Sequence, residues 1–422
     1  MATYKGLMLV LDGLGDRPCD CFDGLTPLEA AHTPNLNALA AQGSSGFVSA
    51  LQPWVPVGTQ TGLGMLMGLA RDDVRKFARG PVEAAGAGMD VVAGDIALRC
   101  NLATLVKTDD GFGILDRRAG RISDEVADLL LSLDGAHLSD EVRLFVAQST
   151  HHRAAAILRG DGLSPSITDT DPGAGRPESG VLVSTPRQPD AAAIKTAQLV
   201  NKLVAVSYDR LQDHPLNKKR VEAGLPAANG LITRGAGSVF ECRNLVRHLN
   251  LSAAVVTGEG TAVGLARIFG FSAITDKRFT AGVSTDLSAK VDAALRALES
   301  HDFVFVHVKG TDVASHDLKP KVKMLLIEEI DAAIAPLLGR DLVIGVTGDH
   351  STDSNSGRHT GDPVPALLSG PNMRRDLVSE FSESECHRGG LGHLQATSFL
   401  CGCLDIMNVM PNHRAYEYFF YQ

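Results

Sequence analysis

Four short apolar runs, LMLVLDG (7–13), LSAAVVTG (251–258), DFVFVHVKG (302–310) and DLVIGVTGD (341–349), break at a glycine after four to seven residues. Runs of this length are buried strands. Apolar residues at Ile194, Ala197, Val200, Leu203 and Val204 give helical periodicity over 191–206, and further helices are expected over 260–269 and 319–338. Strands alternating with helices give a doubly wound, mainly parallel α/β sheet. Such sheets take their ligands beyond the carboxyl ends of the strands, where Asp12 emerges just before Gly13 and Gly15, which permit a tight turn. Thr26-Pro27-Leu28-Glu29 combines an N-cap, a proline at N1 and a capping-box acid, and Thr33-Pro34 opens a second helix, so two helix starts follow the first strand.

At 422 residues the chain is long enough for two or three domains. From about residue 72 to 190 the composition shifts to scattered arginines, Ala/Gly-rich turns and short alternating strands such as 96–106 and 142–148, ending in the loop SITDTDPGAGRPESG (166–180). This segment is read as an insertion, with residues 1–75 and 190–422 forming the core and 76–189 an α+β lid domain. The balance of 40 basic and 49 acidic residues, net −9, argues against a nucleic-acid surface but leaves room for a local basic pocket for an anionic small molecule. The apolar run at 6–11 is too short for a signal peptide or a membrane span, so a cytoplasmic protein without membrane association is expected. The seven cysteines form no C-x-x-C pair and are read as reduced thiols.

Asp312 and His316 lie four apart just beyond an apolar strand, so on a helix both project to one face as a bidentate metal arm. Asp349-His350 follows another strand, and His359 lies nine residues on in a Gly/Ser/Asn-rich loop. Any one of these alone is more often a hydrogen-bonded loop acid or a surface histidine. Their clustering just past strands of one sheet favours metal ligands, and mixed carboxylate and imidazole donors suit Mn²⁺ or Zn²⁺, with Mg²⁺ the weaker fit. No phosphate-binding G-x-x-x-x-G-K-[ST] string is present. His32 is read as a helix residue, His393 as a loop residue, and His151 or His152 as a candidate substrate contact.

The strings DGLGDRP (12–18), TPLEAAHTPNLNALAAQG (26–43), DRRAGRI (116–122), NGLITRGAG (229–237), FVHVKGTDVASHD (305–317), TGDHST (347–352) and HTGDPVP (359–365) resemble the archaeal-type cofactor-independent phosphoglycerate mutases, a branch of the alkaline phosphatase superfamily. The match runs nearly end to end and in order. The resemblance implies an alkaline-phosphatase-like core with two divalent metal ions and an inserted lid. One ion would be held by Asp312, His316 and His359, and the other by Asp12, Asp349, His350 and the nucleophile.

The nucleophile segment departs from the family pattern. A Pro-Gly-Ser-Asp string is usual there, and VPVGTQTGLGMLMG (55–68) puts Thr59 at the serine position and Gln60 at the aspartate. Threonine can still attack phosphorus once a divalent ion lowers its hydroxyl pKa, so the change is conservative for phosphoryl transfer but not for the identity of the substrate. Two ions balance Asp12, Asp312, Asp349 and an ionised Thr59, so a phosphate dianion needs further cations. Arg99, Arg117, Arg118, Arg121, Arg153 and Arg234 in or beside the family-like strings are the candidates for binding a small phosphorylated acid, and Lys309 for catalysis. The expected activity is metal-dependent phosphoryl transfer through a phosphothreonine, interconverting 3- and 2-phosphoglycerate or a close analogue. The alternatives are a phosphatase, phosphonate hydrolase, phosphodiesterase or specialised phosphotransferase using the same metal site, and a catalytically silent binding protein. Retention of every proposed ligand argues against the last, because an acid cluster without cations repels itself.

Overall fold

The computed structural model describes residues 3–173, 180–239, 241–371 and 373–420, so part of the loop expected at 166–180 lies outside the described residues. The chain divides into two compact units, Met1–Val74 with Cys242–Gln422, and Arg75–Glu241.

The first unit is built on an eight-stranded sheet in the order Gly392–Gln395, Ser44–Ser49, Val364–Ser369, Leu342–Thr347, Lys5–Leu11, Phe303–Val308, Ala253–Val256 and Ser272–Ile274. Only the Val364–Ser369 strand runs antiparallel to both of its neighbours, and the sheet is otherwise parallel. The central strands are buried on both faces, as their near-continuous apolar sequence requires. Leu7, Leu9 and Leu11 face a layer that includes Leu36, Leu39, Ala294, Ile327 and Ile330, each buried aliphatic side chain contributing roughly 1.5–3 kcal/mol. On the other face Gly345 gives room for Phe399 and Cys403 of helix Ala396–Ile406. The helix expected over 319–338 ends at Ala333 and tightens into a 3₁₀ turn at Ala335–Leu337, because Pro336 has no N–H to continue the ladder. His32 falls between two helices, and His393 lies in the short strand Gly392–Gln395, so both differ from their expected places.

The second unit is an antiparallel sheet around the long strand Ile96–Thr108, which pairs with Gly111–Asp116, Arg153–Arg159 and Gly230–Gly237, while Arg143–Gln148 joins the outer edge. Helix Ala191–Leu211 packs Ala193, Ala197, Val200 and Leu203 into the same cluster as Leu98, Cys100 and Leu102. The helix and the Gly230–Gly237 strand therefore belong to this unit, although a boundary at 190 placed them in the core. A strand whose hydrogen-bonding partner lies some 130 residues upstream carries no local signal of which sheet it joins.

Inside the first unit, Lys323 is fully buried on helix Pro320–Ala333. Its ammonium donates to the Gly13 carbonyl at 2.8 Å and to Asp16 Oδ2 at 2.8 Å, with the Thr352 carbonyl at 3.3 Å. Asp16 also accepts from the Ser354 N–H, so this ion pair ties the turn after the first strand to the segment after Thr347. Lys323→Met should cost about 3–5 kcal/mol by stranding a buried carboxylate. The Asp16→Asn/Lys323→Met double variant should recover part of that loss, as read from urea unfolding midpoints.

Candidate active site

Strand register places the candidate residues side by side. Leu11 pairs with Val308 and Val10 with Thr347, so Asp12, Lys309 and Asp349 leave adjacent parallel strands at the same level. The Asp12 N–H still donates to the Val308 carbonyl, and Thr311 Oγ1 donates to the Asp12 carbonyl, which fixes the backbone where the carboxylate emerges. Gly13 then turns with φ 65°, and its N–H donates to Asp349 Oδ1 at 3.1 Å. Thr59 is the first residue of helix Thr59–Leu66. That helix sits so close that a Cβ on Gly62 would overlap the Asp349 carbonyl. The loop before it is pinned where Trp54 N–H donates to the Gly361 carbonyl at 2.7 Å and the Val57 carbonyl meets His359 Nδ1 at 2.8 Å.

Asp12 is completely buried. Its Oδ1 lies 2.9 Å from Lys309 Nζ, 3.3 Å from His350 Nε2 and 3.5 Å from Thr59 Oγ1, and its Oδ2 lies 3.0 Å from His307 Nε2. Lys309 Nζ also donates to Thr59 Oγ1 at 3.0 Å and pairs with Asp312 Oδ2 at 2.6 Å. On helix Gly310–His316, Asp312 Oδ1 stands 3.4 Å from His316 Nε2 and 3.4 Å from His359 Nε2.

The imidazoles show what the cluster is arranged to hold. His316 Nδ1 meets the Gly357 carbonyl at 2.7 Å and His359 Nδ1 the Val57 carbonyl, and a carbonyl only accepts, so each ring carries its hydrogen on Nδ1. When both rings are neutral, the two Nε2 lone pairs face each other at 3.2 Å. Thr352 Oγ1 donates its one hydrogen to Asp312 Oδ1, so its oxygen accepts from His350 Nδ1–H. His350 Nε2 is thereby left as a lone pair, 3.3 Å from Asp12 Oδ1, 3.4 Å from Asp349 Oδ2 and 3.4 Å from Thr59 Oγ1. Lone pairs gathered this closely repel unless a cation lies among them. Asp349 Oδ2 is buried and makes no hydrogen bond, the signature of an oxygen awaiting such a partner.

The electrostatics agree. Burial raises the Asp12 carboxyl, but the Lys309 ammonium and a hydrogen bond from His307 outweigh it and hold Asp12 well below the usual carboxylate range. Burial, with Asp12 beside it, pushes Asp349 the other way. Burial opposes the Lys309 charge, yet Asp12 and Asp312 carry its pKa up, so the side chain is a fixed ammonium. Three carboxylates thus share one cation, and the donor set fits divalent ions. Two groups have ligand atoms within 4.8 Å of one another: Asp312, His316 and His359, and Asp12, Asp312 and His350. Asp349 and Thr59 join the second group through their approach to His350.

The arginines belong to the second unit. Arg99 stands directly across from Arg234, and Asn101 from Arg153, so all of these side chains share one face of the sheet. Like charges facing each other across strands are destabilising, and an anion between them offsets the repulsion. Burial, then Arg79, lower the Arg99 pKa to about 9, with only Glu83 at 3.6 Å opposing the shift. Arg118 is lowered by burial and by Arg121, Arg117 and Arg153. Arg117 differs from expectation: a two-point bond to Asp171, at 2.5 and 2.6 Å, occupies its guanidinium fork. His152 adjoins this group and falls to about 4 through burial and the nearby Arg153.

The structure therefore brings Asp12, Thr59, Lys309, Asp312, His316, Asp349, His350 and His359 into one cluster, and Arg99, Arg153 and Arg234 onto one sheet face. Sequence reasoning missed His307, Thr352, Lys323, Arg79 and Asp171. Of these only His307 carried a signal, as a polar residue inside an otherwise apolar strand.

The chain has relatives among known proteins. Residues 40–217 match the family described as 2,3-bisphosphoglycerate-independent phosphoglycerate mutase. The chain is 40% identical to the 2,3-bisphosphoglycerate-independent phosphoglycerate mutase 1 of Archaeoglobus fulgidus over 96% of its own length and 98% of that protein. It is 36% identical to the enzyme of the same name from Methanothermobacter thermautotrophicus over the same shares. Its fold superposes on a Pyrococcus horikoshii protein with a TM-score of 0.82 at 32% identity, covering 98% of this chain and 99% of that one. A cofactor-independent phosphoglycerate mutase from Thermoplasma acidophilum superposes with a TM-score of 0.68 at 31% identity, covering 96% and 100%. Among the described residues no helix is long and apolar enough to cross a membrane. With end-to-end identity at this level, the chain belongs to the 2,3-bisphosphoglycerate-independent phosphoglycerate mutase family.

Proposed function

We propose that the protein interconverts 3- and 2-phosphoglycerate, or a close analogue, by transferring the phosphoryl group to Thr59 and back to the neighbouring hydroxyl. The observation that carries this reading is Thr59 Oγ1, part-exposed at a helix N-terminus, 3.0 Å from the Lys309 ammonium and 3.4 Å from the His350 lone pair. Two divalent ions, Mn²⁺ or Zn²⁺ in preference to Mg²⁺, fit the sets Asp312/His316/His359 and Asp12/Asp349/His350/Thr59. When bound, they lower the hydroxyl pKa and offset charge on the phosphoryl group. Lys309, whose ammonium lies 3.0 Å from Thr59 Oγ1, offsets negative charge on the attacking oxygen. Asp12 Oδ1 at 3.5 Å and the His350 Nε2 lone pair at 3.4 Å are the acceptors within reach of the hydroxyl proton. The new Oγ1–P bond forms as the substrate C–O–P bridge opens at phosphorus, and the leaving glycerate oxygen takes up one proton, in balance the one that Thr59 gives up. In the return step the glycerate hydroxyl on the adjacent carbon takes the group, and Thr59 regains its proton.

The residues Arg75–Glu241 supply the substrate-holding domain in this reading. Arg99, Arg153 and Arg234 meet the carboxylate and phosphate oxygens of a small phosphorylated acid, with Arg118 and Arg121 adding charge. Arg117 acts by fixing Asp171 beneath them.

Thr59→Ala should lower turnover by roughly a thousandfold or more while Thr59→Ser stays active, since the serine keeps the oxygen and loses only a methyl. Phosphorus NMR of the Mn²⁺-loaded protein with each phosphoglycerate should show isomerisation without free phosphate. Phosphate release in place of isomerisation would support a hydrolase. Arg234→Gln should raise KM about tenfold or more and leave stability unchanged or slightly improved, because it removes a cross-strand like-charge pair.

A further inference from the structure

Behind Asp12 lies a histidine that contributes nothing to the ligand sets. His307 is fully buried in strand Phe303–Val308, and its hydrogen bonds run in the opposite sense to those of His316, His350 and His359. The Glu259 N–H donates to Thr257 Oγ1 at 3.0 Å, so that oxygen is an acceptor there and the hydroxyl hydrogen is free to point at His307 Nδ1, 3.2 Å away. Nδ1 then accepts, and the ring hydrogen sits on Nε2, aimed at Asp12 Oδ2 at 3.0 Å. The Asp12 carboxylate, which only accepts, requires the ring hydrogen on Nε2 and so sets the direction of the bonds in this chain.

We propose that His307 is a positioning residue, held by Thr257, which fixes the rotation of the Asp12 carboxylate and satisfies Oδ2 so that Oδ1 alone faces Thr59, His350 and Lys309. The inference rests on the reading of Asp12, Asp349, His350 and Thr59 as a metal site. Its physical basis is general: partners behind a ligating group orient it, and their loss typically lowers metal affinity 10–100-fold. Without the Nε2–H, Oδ2 becomes a second free acceptor in a sealed pocket, and the carboxylate can turn away from the cluster.

Calorimetric titration with Mn²⁺, together with unfolding midpoints, tests the proposal on the full chain. His307→Leu should weaken one of the two Mn²⁺ equivalents about 10–100-fold and leave the other near its wild-type affinity. His307→Gln, whose side-chain amide can reach the same oxygen, should restore most of the loss. Thr257→Val keeps the imidazole and removes the hydroxyl; it should weaken the same equivalent several-fold, and it decides the matter if His307→Leu does not fold. Nitrogen-15 spectra of the metal-free protein, with the His307 signal assigned by its absence in His307→Gln, should show hydrogen on Nε2. Two wild-type Mn²⁺ affinities in a folded His307→Leu variant, or in Thr257→Val when His307→Leu does not fold, would overturn the proposal, as would a ring protonated only on Nδ1. A wild-type protein that binds no Mn²⁺ would overturn the metal reading itself, and this inference with it.

Discussion

The core site is organised around a carboxylate that water does not reach. Asp12 sits between two parallel strands whose register brings Lys309 and Asp349 to the same level, and each of its oxygens has its own surroundings. A buried carboxylate is tolerated only when its charge is matched and its oxygens are bonded, and here Lys309 supplies the charge and His307 a hydrogen bond, both from one neighbouring strand and its end. The cluster follows from that requirement: Thr59 is reached through Lys309, Asp312 through the same ammonium, and His350 through Asp12 Oδ1.

The sheet was legible because buried parallel strands leave a continuous apolar run and end on glycine, a pattern that needs no knowledge of distant contacts. The ligands were legible for a related reason. Asp12, Asp312 and Asp349 are charged residues at the ends of apolar runs, and His316 shares a helix face with Asp312. Lys323 was not legible, since a lysine in PKVKMLLIEEI reads as the exposed side of an amphipathic helix until Asp16, some 300 residues earlier, is brought against it. The pairing of Arg117 with Asp171 and the sheet membership of Gly230–Gly237 escaped in the same way: each is decided by a partner remote in sequence. His307 stood in plain view, but a lone histidine in a strand does not reveal which of its nitrogens carries the hydrogen.

The two units solve opposite electrostatic problems. The first gathers carboxylates and lone pairs and is short of positive charge. The second stacks Arg99, Arg153 and Arg234 on one face and is short of negative charge, relieved in part by Asp171 and Glu83. Each arrangement carries an electrostatic cost wherever its excess charge has no partner.

Lys323 gives the first unit a further property. Its ammonium holds the turn at Gly13 and the segment at Thr352 from inside the protein, independently of any ion. A brace of this kind keeps the segments that carry Asp12 and His350 together whether or not the acceptors beyond them find a partner.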